Sequence, residues 1–210
     1  MSKFFVVFDV DSTLIEDEVI ELLAEVAGRR AEVAEITERA MSGELDFAQS
    51  LVARVSTLEG LPVSVFDQVL AKIRVTPGAD DLIHRIHESG GRVGAVSGGF
   101  TQVLNPLADR LGLDFARAND LEVVDGKLTG KVLGQIVDRS VKAQSLLEWA
   151  ERLSFKQAQT VAVGDGANDL EMMSWAGLSV AFNAKPIVRD QADIVIAKQD
   201  LLELANVLGV

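Results

Sequence analysis

Cysteine is missing from this chain, which removes disulfides, thiolate nucleophiles and cysteine-bound zinc from consideration. Histidine is nearly missing. The two present, His84 and His87, fall within one expected helix, so a histidine-built metal centre is remote and both read as solvated helix positions. No apolar run approaches the length of a membrane span, and no charged-apolar-small leader begins the chain; the expected location is the cytoplasm. Positive charge is also short. Twenty Lys and Arg face 32 Asp and Glu, a formal net charge of -12, which argues against nucleic acid or an anionic membrane as partner. A small anionic substrate stays open, because a metal ion and a few cations reverse the field locally. Neither glycine cluster in the chain fits the dinucleotide pattern G-x-G-x-x-G.

What is present begins at the amino terminus. A short apolar run, Phe4 to Phe8, delivers two carboxylates one residue apart, Asp9 and Asp11, then Ser12 and Thr13. Residues i and i+2 of an extended chain share a side, so both carboxyls reach one small volume at the strand's carboxyl end. In open α/β sheets ligands bind there. Paired acids so held suit a metal, or a nucleophile beside a proton donor.

Further apolar runs are expected to be strands: Arg92 to Val96, Thr160 to Val163, Ser179 to Phe182 and Asp193 to Ile196. Helical spacing marks Ala79 to Glu88, Thr101 to Leu111, Val141 to Arg152, Asp169 to Trp175 and Leu201 to Leu208. This alternation implies an α/β fold, a Rossmann-like parallel sheet with helices on both faces. Leu121 to Val132, with Asp125-Gly126 between alternating apolar residues, reads as a hairpin. Residues 15–74 show amphipathic helix and no convincing strand, closing at the turn Thr76-Pro77-Gly78. They are expected to form a helical cap inserted after the first strand, with residues 1–14 and 75–210 as the core. A chain of 210 residues with 48% hydrophobic content can bury one such core with a small satellite.

Two more clusters fall at strand ends. Val93 to Val96 runs into Ser97-Gly98-Gly99, a hydroxyl and bare amides read as a strand-to-helix turn fit to seat a phosphate. Thr160 to Val163 runs into Gly164-Asp165-Gly166-Ala167-Asn168-Asp169. Alone, each is an ordinary turn sequence, and Lys142 alone is a surface lysine. Asp9, Ser97 and Asp165, however, each end a separate expected parallel strand, which brings them to one edge of the sheet.

In this order, DVDST, SGG, the lysine and GDGAND resemble the four motifs of the haloacid dehalogenase superfamily of phosphohydrolases, over Asp9 to Asp169. Within it, Glu18, the stretch Met41 to Arg54, Ser97-Gly98-Gly99-Phe100 and GDGANDLEMM resemble the phosphoserine phosphatases. Some of that family carry an amino-terminal regulatory domain, and nothing in this chain suggests one. The resemblance implies Mg²⁺-dependent hydrolysis of phosphoserine to serine and phosphate, the last step of serine biosynthesis. It assigns Asp9 as nucleophile and metal ligand, with Asp165 and the backbone carbonyl of Asp11 completing the protein ligands and Asp169 and Asn168 supporting them. Lys142 and Ser97, with the Gly98 and Gly99 amides, would hold the phosphoryl oxygens. Asp11 would serve as general acid, then general base.

Charge makes the metal necessary. A carboxylate meeting a phosphate dianion, two unit-charge pairs near 4 Å, pays roughly 8 kcal/mol at an effective dielectric of 20. A divalent cation offsets this, and an oxygen-only acidic site selects Mg²⁺. In the cap, Glu18 resembles the family's amine-binding acid and Arg54 its carboxylate-binding base; by composition alone both are solvated helix charges. Met41 and Phe47 form either an apolar wall of the site or the cap's own packing. Trp149 and Trp175 are read as packing residues. The small-molecule partner is phosphoserine, and the chain is expected to be a monomer or homodimer. Three rivals stand beside this reading: a phosphotransferase handing the same aspartyl-phosphate to an alcohol such as homoserine, a phosphatase of the same superfamily for another small phosphometabolite, and a silent phosphoamino-acid sensor, which the presence of both Asp9 and Asp11 disfavours.

Overall fold

The computed structural model describes residues 3–40, the backbone of Met41, and residues 44–210. Strand β1 (Phe5–Phe8) is fully buried. Its side chains divide as the pleat demands: Val6 and Phe8 enter one hydrophobic cluster, Phe5 and Val7 the other. Such a strand belongs at the centre of a sheet covered on both faces, and that is where it lies.

After β1 come four helices, α1 (Val19–Val26), α2 (Arg30–Met41), α3 (Phe47–Ser56) and α4 (Val65–Leu70). Then follow α5 (Ala79–Glu88), β2 (Arg92–Phe100), α6 (Thr101–Leu111), β3 (Phe115–Val124), β4 (Lys127–Leu133), α7 (Arg139–Arg152), β5 (Thr160–Gly164), α8 (Leu170–Trp175), β6 (Leu178–Phe182), α9 (Pro186–Arg189), β7 (Ile194–Ile196) and α10 (Glu203–Leu208). The seven strands lie in the order β4-β3-β2-β1-β5-β6-β7. Neighbours are parallel except β3 with β4. Helices α7, α8 and α9 cover the Phe5 and Val7 face. Helices α5, α6 and α10, together with buried residues of α1, α3 and α4, share the cluster on the Val6 and Phe8 face.

The expected strands and core helices are all present, with two differences in the strands and two at single side chains. The hairpin's first arm starts earlier: β3 pairs parallel with β2 from Gly94↔Phe115 before turning antiparallel to β4. Ser97-Gly98-Gly99 is no turn. It lies inside β2, which shifts register between Val96 and Phe100 and passes directly into α6. Trp149 is buried and stacked on Phe115, whereas Trp175 is 50% exposed and does not pack in the core. His84 is exposed beside Glu88, as read, but His87 is half-buried and bonded to Asp114.

The helical insertion is fastened at two places. At its root Ile15 bridges Val75, Glu16 N–H donates to the Arg74 carbonyl (2.9 Å), and Thr76 N–H to that of Leu14 (3.0 Å). Asp17 accepts from the Arg74 amide (2.8 Å) and guanidinium (2.7 Å). Further along, Gly60 N–H donates to Leu128 (2.8 Å), Leu128 N–H to Leu61 (2.8 Å) and Val63 N–H to Gly126 (3.0 Å), which ties the insertion to the β3-β4 hairpin.

Candidate active site

Beyond Phe8 the chain keeps one more sheet bond, Asp9 N–H to the Val163 carbonyl (2.8 Å), then enters a tight turn, Val10–Leu14, kinked at Ser12. The extended backbone at Asp9 and Asp11 brings both carboxyls to the sheet's edge. Asp11 Oδ1 accepts from Val19 N–H (2.8 Å), capping the start of α1, and Oδ2 accepts from the Ser97 hydroxyl (3.0 Å). Ser97 Oγ in turn accepts from Gly99 N–H (2.7 Å), so that amide is already engaged. The irregular end of β2 is held from across the sheet: buried Asn119 donates to the Gly98 carbonyl (2.8 Å) and accepts from Val137 N–H (2.8 Å).

Lys142 sits in the first turn of α7, whose start is capped by Asp138 through Ser140 and Val141 N–H. Its ammonium is 1% exposed and joins Asp9 Oδ1 (2.5 Å) to Asp169 Oδ1 (2.8 Å). Asp169, fully buried, also accepts from Gly166 N–H (3.0 Å). Here glycine at 164 is required by close approach, since a Cβ would stand 2.5 Å from the Asp169 carboxyl. Carboxylate oxygens of Asp9, Asp165 and Asp169 lie within 4.8 Å of one another, an all-oxygen cluster that could hold a metal ion. Asp169, read from the sequence as support, holds Lys142 and the Gly166 amide and also brings an oxygen within this cluster, while the Asp11 side chain is turned to Val19 and Ser97.

Above this floor is a pocket of about 140 Å³ lined by Asp9, Asp11, Gly98, Gly99, Asp165 and Asn168 below, and by Glu18, Phe47 and Arg54 of the insertion. Phe47 is 37% exposed and its ring tip would be 3.0 Å from a Cβ at Gly98, so it lies against the bare strand as a wall. The Met41 side chain is outside the described residues. Glu18 is exposed and accepts from the Ser12 hydroxyl (2.7 Å). Arg54 uses Nε on its own helix, at the Ser50 carbonyl (3.2 Å), and among the described residues forms no ion pair.

Five carboxylates, Asp9, Asp11, Glu18, Asp165 and Asp169, face three cations here, Lys142, Arg54 and Lys185. The excess is two negative charges, which one divalent cation cancels. Burial first, then neighbouring Asp169, holds Asp9 well above the usual carboxylate range against the pull of Lys142. Burial and then Glu18 push Asp11 up to about 6. Burial and then Asp169 push Asp165 up to about 6. Burial alone would lower Lys142, but Asp169 and Asp9 outweigh it and raise it. Burial lowers Arg54, with Glu18 and Asp11 opposing.

Sequence reasoning missed Asn119 and Lys185. Lys185 lines the pocket, its N–H donates to the Asp165 carbonyl (3.0 Å), and its charge restrains the rise of Asp165. Its one sequence signal is a lysine directly before the proline that opens α9.

Residues 6–174 match the family model described as haloacid dehalogenase-like hydrolase. The chain is 53% identical over 206 residues to a phosphoserine phosphatase of Streptococcus thermophilus, covering 98% of this chain and 96% of that protein. It is 57% identical over 205 residues to one of Streptomyces coelicolor, covering 98% of this chain but only 50% of the longer relative. A solved phospho-aspartyl intermediate analogue of phosphoserine phosphatase superposes with a TM-score of 0.91 at 44% identity, over 99% of each chain.

Proposed function

The chain belongs to the haloacid dehalogenase-like hydrolase family, and from that premise we propose that it hydrolyses phosphoserine to serine and phosphate through a phosphorylated Asp9. The observation that carries the reading is one pocket suited to both ends of that substrate: Asp9, Asp11, Gly98 and Gly99 for the phosphoryl group, Glu18 and Arg54 for the amino acid.

In this reading Lys142 holds one oxygen of Asp9 and leaves the other to attack phosphorus. The Asp9–phosphorus bond forms as the ester bond to the serine oxygen breaks. Asp11, close enough to neutrality to carry a proton, gives it to the departing serine oxygen, then takes one from the water that cleaves the acyl phosphate and regenerates Asp9. Ser97 and the Gly98 amide steady the phosphoryl oxygens. Mg²⁺ fits the oxygen-only donor set; Asp9, Asp165 and the Asp11 carbonyl would hold it, Asp169 and Asn168 would support them, and when bound it offsets the charge between carboxylate and phosphate. Glu18 pairs with the substrate ammonium and Arg54 with its carboxylate, a geometry suited to the planar guanidinium. Phe47 excludes water above them, and the insertion acts as a specificity cap.

The test compares phosphate release from phosphoserine, phosphothreonine, sugar phosphates and an aryl phosphate. Glu18→Gln and Arg54→Ala should lower kcat/KM for phosphoserine tenfold to hundredfold, about 1.5 to 3 kcal/mol, and for the aryl phosphate far less. Equal losses on both substrates would reject the assignment.

A further inference from the structure

Four non-glycine residues among those described have positive φ: Ser12, Asp125, Ser154 and Asn183. Asp and Asn tolerate that region through local hydrogen bonding; serine does so less readily. Ser12 is held at φ 58°, ψ 5°, inside the acid-bearing turn and directly after Asp11. Glycine would take this conformation without steric cost. Of the two serines held this way, Ser12 is the one whose hydroxyl is engaged among the described residues: it donates to Glu18 Oε1 at 2.7 Å across six residues of chain.

Glu18 has need of such a partner. It stands exposed just ahead of α1, forms no ion pair among the described residues, and repels Asp11 strongly enough to help raise it. An exposed glutamate samples several rotamers, and binding would have to immobilise it. With Ser12 on Oε1, the carboxylate is fixed over the pocket and Oε2 is left for a cation. We infer that Ser12 is a positioning residue for substrate selection: its hydroxyl, presented by a left-handed backbone, orients Glu18 toward the ammonium group of the substrate. This rests on the phosphoserine reading above and adds to it the device that readies the amine-binding acid.

The experiment measures KM and kcat on phosphoserine and on an aryl phosphate, at saturating Mg²⁺, for the full chain and for Ser12→Gly, Ser12→Ala, Glu18→Gln and the double variant Ser12→Gly/Glu18→Gln. Glycine relieves the backbone and alanine keeps it strained, so Ser12→Gly should melt about 2 to 4 °C above Ser12→Ala. Both lack the hydroxyl. Both should therefore show the same loss of preference for phosphoserine over the aryl phosphate, roughly tenfold and mostly in KM, and the double variant should lose no more than Glu18→Gln alone. If Ser12→Gly keeps wild-type preference while Glu18→Gln loses it, the inference is overturned and the phosphoserine reading stands. If Ser12 variants lose both substrates equally, the residue serves only the turn, and the inference is again overturned. Should Glu18→Gln itself keep the preference, the phosphoserine reading fails and this inference with it. Where Ser12→Ala does not fold, the glycine variant carries the comparison alone.

Discussion

Asp9 and Asp11 are neighbours on one turn, yet their partners differ in kind: Asp9 is bound to a buried ammonium, Asp11 to an amide and a hydroxyl. In the proposed mechanism that difference separates their duties, Asp9 as nucleophile and Asp11 as acid and base. Asp9→Asn removes the nucleophilic oxygen while preserving shape, so turnover should vanish with the melting temperature little changed. Wild-type protein quenched in acid during turnover of ³²P-labelled phosphoserine should carry label on Asp9; protein that never acquires label would point to direct attack by water. Lys142 is harder to replace. Two buried carboxylates share it, and truncating one partner of such a set leaves uncompensated charge, about 3 to 5 kcal/mol of stability.

At the scale of elements, the root of the insertion is two short segments stapled by Ile15, Val75, Asp17 and Arg74. Burial alone would raise Asp17, but the Arg74 side chain and amide outweigh it and hold it low. A carboxyl depressed in the folded state contributes stability that is present above its unfolded value, about 3.9, and is lost as pH falls through the folded one. Arg74→Met should therefore lower the melting temperature slightly at pH 7, by about 1 to 3 °C. The gap to wild type should close as the pH is taken well below 4; a gap that persists in acid would mean that the staple is not electrostatic. The elements also explain what the sequence could reveal. Phe5 to Phe8, the paired acids and the helices α5 and α6 were legible because period and burial agree there. The first half of β3 was not, because Arg117 lies on its buried face, with its guanidinium over Trp149 (5.3 Å) and bonded to Ser145 and Glu148, so a charge stands where alternation calls for an apolar residue. Ser97-Gly98-Gly99 read as a turn because its extended backbone depends on a distant side chain, that of Asn119. Lys185 stayed hidden because proximity to Asp165 is made by β5 and β6 lying side by side, not by local pattern.

For the whole molecule, the formal charge is -12, and two of those excess negative charges are crowded together at the pocket's carboxylates. Binding of Mg²⁺ to the folded state alone stabilises it by mass action, about 2.7 kcal/mol at a hundredfold excess over the dissociation constant, or roughly 5 to 10 °C for a chain of this size. That shift should disappear in Asp165→Asn. Activity should be lost with chelator and return with Mg²⁺, and full activity in metal-free buffer would refute the ligand set. The helical insertion has a further consequence. Because it is fastened both at its root and along the β3-β4 hairpin, and shares a hydrophobic cluster with the sheet, it holds Glu18, Phe47 and Arg54 along one side of a pocket of about 140 Å³, the scale of a single small metabolite. On the proposed reading, a phosphorylated serine within a polypeptide has no free ammonium for Glu18 and no free carboxylate for Arg54, and it brings backbone on both sides into a small pocket. On that reading phosphorylation of a protein is invisible to this pocket: phosphoserine peptides should release phosphate far more slowly than the free amino acid at equal concentration, and equal rates would reject Glu18 and Arg54 as the selecting pair.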